Sequence, residues 1–232
     1  MMEARDLVVS YGSRSVLHGC DLQVGSGEVV ALFGHNGAGK TTLMRTLAGL
    51  KQHERGSIRV AGHDVSGMSA SSRARHGVAL VPDGAAGIFA NLTVEENLAV
   101  ARSARRSRDS ATVRLVREMF AAVVDGKRRQ LVSQLSGGQR QMVALALAMI
   151  REPKVMLLDE PSVGLAPVIV QQMLQMVKQI AERLGSGVLL VEQDMPAALA
   201  VCDRVHIMKQ GAMVLSARPA DFPSSDALWK YF

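Results

Sequence analysis

The sequence predicts an α/β fold whose core is a mostly parallel sheet covered by helices on both faces. Along the second half, short segments that are apolar at every position alternate with segments of helical periodicity. Uninterrupted apolar strands between helices are typical of a parallel sheet that is buried on both sides. A glycine-rich turn also joins one such strand, 27–33, to a helical leucine pattern that begins at Lys40. A strand, a glycine loop and a helix therefore follow one another directly.

The predicted elements form two α/β parts separated by a helical segment. In the first part, a helix is expected from Lys40 and strands are expected at 7–9, 27–33, 57–60, 64–65 and 78–81. From Val94 to about Leu135 the sequence is helix-prone, rich in arginine and without proline, which predicts a helical insertion. Its solvated face is expected to carry Arg102, Arg105, Arg106 and Arg108.

The second part returns to alternating strands and helices. Helices are expected at 139–150 and 168–184, with a short one near 197–201. Strands are expected at 155–158, 188–191 and 205–208, and Gly211 is expected to turn the chain into a short hairpin. A brief tail, 222–232, contains Trp229.

Length and composition limit the class of protein. The 232 residues are 48% hydrophobic and 21% charged, with a formal net charge of +6, which suits one large domain or two small ones. No apolar run reaches the ~18 residues needed to span a bilayer. The first residues lack a secretory pattern, and Cys20 and Cys202 are too few for a disulfide framework, so we expect a reducing cytoplasm and two small buried thiols. The modest basic excess does not by itself indicate a nucleic-acid partner.

The glycine-rich turn matches a phosphate-binding motif. Gly34 to Thr41 reads G-x-x-x-x-G-K-T and lies between a predicted strand and a predicted helix. Glycines let backbone N–H groups point at phosphate oxygens, and the helix N-terminus adds partial positive charge. Lys40 is expected to neutralise the β- and γ-phosphates of a nucleotide, and Thr41 to place its hydroxyl on Mg²⁺. The expected nucleotide contacts here are Gly34, His35, Asn36, Gly37, Ala38, Gly39, Lys40, Thr41 and Thr42.

Two carboxylates follow the buried strand at 155–158. Asp159 and Glu160 stand where a Walker B pair would lie. The chemistry of phosphoryl transfer then predicts that Asp159 holds the Mg²⁺ shell and that Glu160 orients and polarises the attacking water. Lys40 and Glu160 are thus the first candidate catalytic residues.

A second glycine loop opens another helix. Leu135-Ser136-Gly137-Gly138-Gln139 presents further N–H groups at a helix N-terminus, where an anion is stabilised. One nucleotide does not need two such loops from the same subunit.

With this loop between a Walker A and a Walker B motif, the chain resembles the nucleotide-binding subunit of ATP-binding cassette transporters over nearly its whole length. The resemblance implies a P-loop NTPase cassette with a mixed, mostly parallel core sheet, a small antiparallel β subdomain and a helical insertion. It implies one ATPase domain over 1–232: a RecA-like core with the β subdomain at about 1–93 and 139–232, and a helical subdomain at about 94–138. It also implies a head-to-tail dimer, in which Ser136, Gly137, Gly138 and Gln139 complete the ATP site of the partner.

Further positions match the family pattern. Tyr11 stands where an aromatic side chain stacks on adenine, with Val16 packing beside it, and the resemblance implies those roles. The loop 162–165 matches the segment after Walker B that crosses the dimer interface. Its usual closing aspartate is Ala166 in this sequence.

Two positions depart from the family pattern. Asp83 stands where the family carries a glutamine that touches Mg²⁺ and water; an ionised aspartate could bind the metal shell but cannot donate a hydrogen bond. Gln193 replaces the switch histidine; its amide can reach a γ-phosphate but cannot carry charge. The resemblance thus implies Asp83 as a third metal-site residue and Gln193 as a third catalytic one.

Four segments narrow the subfamily. Val81-Pro82-Asp83, 93–98, 164–167 and 191–193 together resemble an ATPase of the branched-chain or hydrophobic amino-acid importers, and urea and amide importers look similar. The resemblance implies a second, often non-identical, ATPase subunit, two membrane permease subunits and an extracytoplasmic solute-binding protein. It places the chain at the cytoplasmic face of a bacterial inner membrane, with the surface around Asp83 and the helical insertion receiving the permease.

Two alternatives stay open at this point. A soluble cassette ATPase acting on nucleic acid or ribosomes would fit the positive charge, but such proteins usually carry two cassettes or a long coiled-coil insertion, so no nucleic-acid partner is expected. A weak ATPase whose main role is nucleotide-dependent binding would fit the altered residues Asp83 and Gln193, although Lys40, Asp159 and Glu160 are all present.

Overall fold

The computed structural model describes residues 1–85, 87–103, 110–222 and 230. In chain order the strands are β1 (Met2–Tyr11), β2 (Arg14–Val24), β3 (Val29–Phe33), β4 (Arg55–Val60), β5 (His63–Asp64), β6 (Val78–Val81), β7 (Val155–Asp159), β8 (Gly187–Val191), β9 (Arg204–Lys209) and β10 (Ala212–Ala217). The helices are α1 (Lys40–Leu47), α2 (Ala70–Arg75), α3 (Val94–Ser103), α4 (Ser110–Met119), α5 (Ala121–Val124), α6 (Gly137–Ile150), α7 (Pro167–Leu184) and α8 (Met195–Leu199).

The larger sheet has six strands in the order β10-β9-β3-β8-β7-β6. β9, β3, β8, β7 and β6 run parallel, and β10 pairs with β9 in an antiparallel hairpin. Every residue of β3, β7 and β8 is buried, as expected for central strands between two helical layers. The predicted mostly parallel core sheet is confirmed.

Alternate residues of the central strands enter two different cores. Val29, Ala31 and Phe33 of β3 pack on the side of α6, α7 and α8. Val30 and Leu32 pack on the side of α1 and the smaller sheet. The two-residue period of a strand therefore places one layer of structure on each face of the sheet.

The smaller sheet is antiparallel, with the order β2-β1-β4-β5. β2 was not predicted, and the strand expected at 7–9 extends over the ten residues of β1. The alternation of β2 is hard to detect because the β1–β2 pairing shifts register near Leu7 and Val8. Each such shift breaks the two-residue period on which strand prediction depends.

The segment after β6 is helical. α3, α4 and α5 each contact α6. A small apolar cluster joins α3, α5 and α6 and consists of Val94, Val123, Val132, Leu135 and Val143. The predicted surface arginine Arg102 lies in α3. Arg105, Arg106 and Arg108 lie outside the described residues, as does Trp229.

Several boundaries differ from the sequence prediction by one or two residues. α6 begins at Gly137 rather than Gln139, since Ser136 caps it, and the helix expected near 197–201 is α8 at 195–199 because Asp194 caps it. α2 was not predicted because six polar or small residues, 70–75, carry no apolar periodicity. Across the described part of the chain, no helix combines the length and apolarity needed to cross a membrane.

Candidate ATP-binding and catalytic site

The sheet order brings the predicted site residues to one edge. β3, β8, β7 and β6 are neighbours and parallel, so the loops that follow them meet at their carboxyl ends. These loops carry Gly34, Gln193, Glu160 and Asp83 in that spatial order. Clefts beyond the carboxyl ends of parallel strands are where open α/β folds bind ligands.

The phosphate loop passes too close to other chain segments for larger residues. A Cβ atom on Gly34 would lie 2.3 Å from the Met208 carbonyl oxygen of β9. Gly39, which immediately precedes α1, has a φ of 108°, in the region that favours glycine. His35, Asn36 and Gly37 form the exposed tip, whereas Ala38 is buried. The loop is therefore held by β9 on one side and open to solvent at its tip.

Lys40 and the first turn of α1 point into this loop. Lys40 is 7% exposed, and its Nζ donates hydrogen bonds to the carbonyl oxygens of Gly34 at 2.7 Å and His35 at 3.2 Å. Burial lowers the pKa of Lys40, while the charges of Glu160 and Asp159 oppose that shift. The first turn of α1, which includes Thr41 and Thr42, contains no acidic side chain that would repel phosphate.

Asp159 provides the clearest observation in favour of a metal site. It ends β7 and is 7% exposed, and among the described residues its Oδ1 has no hydrogen-bond donor although it is buried. Burial raises the pKa of Asp159, and the negative charges of Glu160 and Asp83 raise it further. The Thr41 side chain lies close enough to the Asp159 carboxyl group to lower its pKa. A buried carboxylate oxygen that accepts no hydrogen bond, next to a hydroxyl group, provides oxygen ligands of the kind that Mg²⁺ prefers.

Asp83 follows β6 in a short 3₁₀ turn, Asp83–Ala85, and is exposed. It lies close enough to raise the pKa of Asp159. The structure thus brings both predicted metal-site carboxylates and Thr41 into one neighbourhood, with Asp83 at its solvent side.

Glu160 and Gln193 are joined directly. The Gln193 amide donates a hydrogen bond from Nε2 to Glu160 Oε2 at 2.6 Å. Glu160 has a φ of 48°, which is unusual for a residue other than glycine, and its N–H donates to the Val191 carbonyl oxygen at 2.9 Å. Backbone strain of this kind is often found at functional sites. The contact orients the Glu160 carboxylate at the edge of the site.

A cavity of about 450 Å³ lies between the phosphate loop and the residues that follow β8. It is lined by the end of β3, by residues of the phosphate loop and by three residues that follow β8: Phe33, Gly34, His35, Asn36, Lys40, Glu192, Gln193 and Met195. Gln193 thus lies across the cavity from the loop, where the sequence predicted it.

Sequence reasoning gave no role to Glu192, which the structure places in this site. It is 3% exposed and accepts hydrogen bonds from Ser162 in the loop after β7. The available signal was an acidic residue directly after an apolar strand, the same pattern that identified Asp159.

Tyr11 ends β1 and Val16 lies in β2, both in the smaller sheet. Tyr11 is 45% exposed, and Lys51 Nζ lies 4.4 Å from the centre of its ring. The Val16 carbonyl oxygen lies 3.4 Å from the position that a Cβ of Gly39 would occupy. A base stacked on Tyr11 would use the ring face opposite Lys51 or displace that ammonium group.

The second glycine loop, 135–139, called the Ser136 loop below, caps α6 on the protein surface. The Ser136 hydroxyl accepts from the Gln139 N–H at 3.3 Å, and Gln139 Oε1 accepts from the Ser136 N–H at 3.0 Å, forming a capping box. Ser136 and Gly137 are exposed. The cavity at the phosphate loop, as far as the described residues define it, contains none of the residues 136–139 in its lining.

The parallel sheet, the phosphate loop and the acidic end of β7 define a P-loop ATPase. Comparison with known proteins gives the family. A family profile described as ABC transporter matches residues 17–163. The chain therefore belongs to the ABC transporter family, and it is an ATP-binding, ATP-hydrolysing member.

Individual relatives agree with this assignment. The chain is 41% identical over 207 residues to the high-affinity branched-chain amino acid transport ATP-binding protein BraG of Pseudomonas aeruginosa, covering 88% of this chain and 87% of that protein. It is 34% identical over 224 residues to the lipopolysaccharide export system ATP-binding protein LptB of Haemophilus influenzae, covering 94% and 91%. A solved structure described as the ATP binding subunit of an ABC transporter matches with a TM-score of 0.86 at 26% identity, covering 100% of this chain and 98% of that one.

Proposed function

We propose that this chain energises the uptake of branched-chain or other hydrophobic amino acids as the ATPase subunit of an importer. The geometry that supports hydrolysis is the joint placement of the donor-free Asp159 Oδ1, Thr41 and the Glu160–Gln193 pair at one sheet edge. The similarity to BraG, at 41% identity over most of both chains, favours amino acids as the cargo.

The residues divide the chemistry between binding and proton transfer. Lys40 and the N–H groups of the phosphate loop would bind the phosphates of ATP, and Thr41, Asp159 and Asp83 would hold Mg²⁺, which supplies charge neutralisation when bound. Glu160 would accept a hydrogen bond from the attacking water through the oxygen that Gln193 does not occupy. The amide of Gln193 lies between Glu160 and the cavity. It would orient the Glu160 carboxylate and the attacking water, and it would itself stay uncharged.

The exposed Ser136 loop supports a head-to-tail dimer. Its N–H groups lie at the start of α6, outside the lining of the phosphate-loop cavity, so a second cassette would bring them to a nucleotide. Each chain would then contribute to two ATP sites. We also propose the domain division expected from the sequence, with a helical subdomain at about 94–138 that ends near the start of α6.

An apolar groove supports a membrane partner. The groove has a volume of about 440 Å³ and is lined by residues of α2, β6, α3 and α6 together with Leu50 and Phe89. Leu50 is 61% and Phe89 54% exposed. Exposed apolar side chains around a groove mark an interaction surface, and an amphipathic helix from the cytoplasmic side of a permease would cover them. The groove adjoins the Asp83 segment, where the sequence placed this contact.

The similarity to LptB favours a second candidate, the same ATPase role in lipopolysaccharide export. The cargo is the difference between the two proposals. Purification of the chain with its membrane subunits, followed by ATPase assays with a binding protein and either leucine, isoleucine and valine, or urea and amides, or lipopolysaccharide, separates them. Stimulation by lipopolysaccharide alone would contradict the amino-acid proposal.

The role of Glu160 has a direct test. Replacing Glu160 with glutamine removes the proton acceptor while keeping its size, so ATP binding should persist while turnover falls at least about 100-fold. The variant should also form an ATP-dependent dimer on a sizing column. Glu182→Gln, on the exposed side of α7, is the matched control. Unchanged hydrolysis in Glu160→Gln would refute the assignment.

A further inference from the structure

Glu192 is a buried carboxylate that joins two loops of the site. Its Oε1 accepts a hydrogen bond from the Ser162 N–H at 3.2 Å. Its Oε2 accepts from the Ser162 hydroxyl at 2.5 Å and from the Gln193 N–H at 3.2 Å. All three groups donate to the carboxylate, so its ionised form is the one that satisfies them.

Burial of this side chain is energetically unfavourable by itself. Glu192 is 3% exposed and follows the apolar strand β8, where an aliphatic side chain would be buried without the desolvation of a carboxylate. Burial raises the pKa of Glu192, and the nearby charge of Glu160 raises it further, against the three hydrogen bonds. A carboxylate at this position is therefore kept for the contacts that it makes.

The contacts of Ser162 extend toward α6. The Leu165 N–H donates to the Ser162 carbonyl oxygen at 3.0 Å, which closes the loop 162–165 as a turn. Leu165 in turn packs at the start of α6, since a Cβ on Gly138 would lie 3.4 Å from Leu165 Cδ2. The loop held by Glu192 thus touches the helix that carries Ser136.

The contacts of Gln193 extend toward the catalytic carboxylate. The main chain of Gln193 is fixed by Glu192, and its side-chain amide holds Glu160 Oε2 at 2.6 Å. Contacts therefore run without a break from Glu160, by way of Glu192, to the start of α6.

We propose that Glu192 is a positioning residue for ATP hydrolysis: it fixes Gln193 and the loop 162–165 together, so that the Glu160 carboxylate and the Ser136 loop move as one unit. The proposal rests on the proposed function, because the Ser136 loop and Glu160 serve different ATP sites only in a head-to-tail dimer. Glu192 acts through its neighbours and needs no contact with nucleotide.

Two variants and one control test this role. Glu192→Ala removes all three acceptors, and Ser162→Ala removes only the hydroxyl donor. Asp194→Asn neutralises a carboxylate two residues further on that caps α8 by accepting from the Ala197 N–H, and asparagine caps helices equally well. Glu192→Gln, which keeps the size and one carbonyl acceptor, tests for partial rescue.

Steady-state hydrolysis and hydrogen exchange are measured on the purified chain. Misorientation of a catalytic group lowers turnover more than binding, so Glu192→Ala should lower kcat by about tenfold or more with KM within about twofold of wild type. The kcat values of Glu192→Gln and Ser162→Ala should lie between those of Glu192→Ala and wild type. Amide exchange over 160–166 and at 193 should be faster in Glu192→Ala and unchanged in Asp194→Asn.

Specific results would overturn the proposal. Wild-type kcat in Glu192→Ala, or a raised KM with kcat unchanged, contradicts a positioning role. If Glu192→Ala does not fold, wild-type kcat in Ser162→Ala contradicts it instead. The exchange measurement does not need hydrolysis: unaltered protection over 160–166 overturns the proposal even in an inactive chain. A wild-type chain that neither binds nor hydrolyses ATP, with exchange altered as expected, contradicts the proposed function instead.

Discussion

His206 in β9 is a buried side chain whose ring nitrogens have no hydrogen-bond partners among the described residues. It is 5% exposed. Burial lowers the pKa of His206 to about 4, with the nearby Arg204 guanidinium acting in the same direction and Glu28 opposing it. The folded chain therefore keeps this imidazole neutral at a pH where the unfolded chain protonates it.

This difference predicts a pH-dependent stability. Between the ordinary histidine pKa of about 6.5 and the folded value the unfolded state binds more protons, so stability falls as the pH falls through that window. From pH 7 to pH 5 the loss should be about 2 kcal/mol. His206→Leu should remove that part of the pH dependence, measured by urea unfolding at both pH values. The same substitution at the exposed His63 is the control, and an equal slope in wild type and His206→Leu would contradict the assignment.

Gln193 carries a second prediction at the residue scale. Gln193→Ala removes the bond to Glu160 Oε2, so kcat should fall about tenfold to 100-fold while ATP affinity changes little. Gln193→His restores a hydrogen-bond donor and should recover part of the loss. Gln172→Ala, on the exposed surface of α7, is the control in the same ATPase assay. Full activity of Gln193→Ala would show that Glu160 needs no orientation by this amide.

At the scale of elements, the groove between α2, α3, β6 and α6 gives a prediction about the membrane partner. Leu50→Glu and Phe89→Glu each place a charge on an exposed apolar position at the groove. Burying that charge under a partner helix would cost several kcal/mol, so co-purification with the membrane subunits should be lost while ATP binding by the free chain persists.

The sheet supplies the control for this experiment. Val214 in β10 is 46% exposed and lies at the edge strand opposite β6. Val214→Glu should leave co-purification unchanged. Equal retention of the membrane subunits by the Leu50, Phe89 and Val214 variants would place the partner elsewhere on the surface.

At the scale of the whole molecule, the proposed head-to-tail dimer predicts complementation between two inactive variants. Lys40→Met damages the phosphate loop and Gly138→Glu damages the Ser136 loop, so each variant alone should be nearly inactive. Mixed dimers contain one site built from the intact phosphate loop of one chain and the intact Ser136 loop of the other. A mixture should regain about a quarter of wild-type ATPase activity if the copies exchange freely.

The concentration dependence provides a check on this result. Recovered activity should rise with total protein concentration, because the shared site exists only in the dimer. The Lys40→Met variant alone, assayed at the same total protein concentrations, gives the baseline activity. Absence of recovery across the range in which wild type is active would contradict a site shared between two copies of this chain.

Much of the fold was predictable because it is locally encoded. β3, β8 and the first four residues of β7 are apolar, and α7 has regular helical spacing. The bounds of these elements therefore agree with the sequence to within one or two residues. β2 and α2 were missed. The first is interrupted by shifts in pairing and the second lacks an apolar face of its own, so neither carries the local period that prediction needs.

The site divides in the same way. Gly34 to Thr41, Asp159 and Glu160 were identified because each group is contiguous and follows directly from a strand. The Glu192–Ser162 contact joins residues 30 positions apart, and no local sequence pattern around either residue predicts it. The bond between Gln193 and Glu160, 33 positions apart, was equally undetectable, although both residues had been named as candidates.

Arg73 shows the limit most simply. Its polar side chain reads as surface, yet it is 1% exposed and donates from Nη1 to the carbonyl oxygens of Thr46 and Leu47 at the end of α1. The sequence by itself determined the nucleotide chemistry and the parallel core, because these depend on short contiguous patterns. Only the tertiary structure decided which polar groups are buried and which hydrogen-bond partners they have. The physical reason is that a buried charge is stabilised by donors and acceptors from distant parts of the chain.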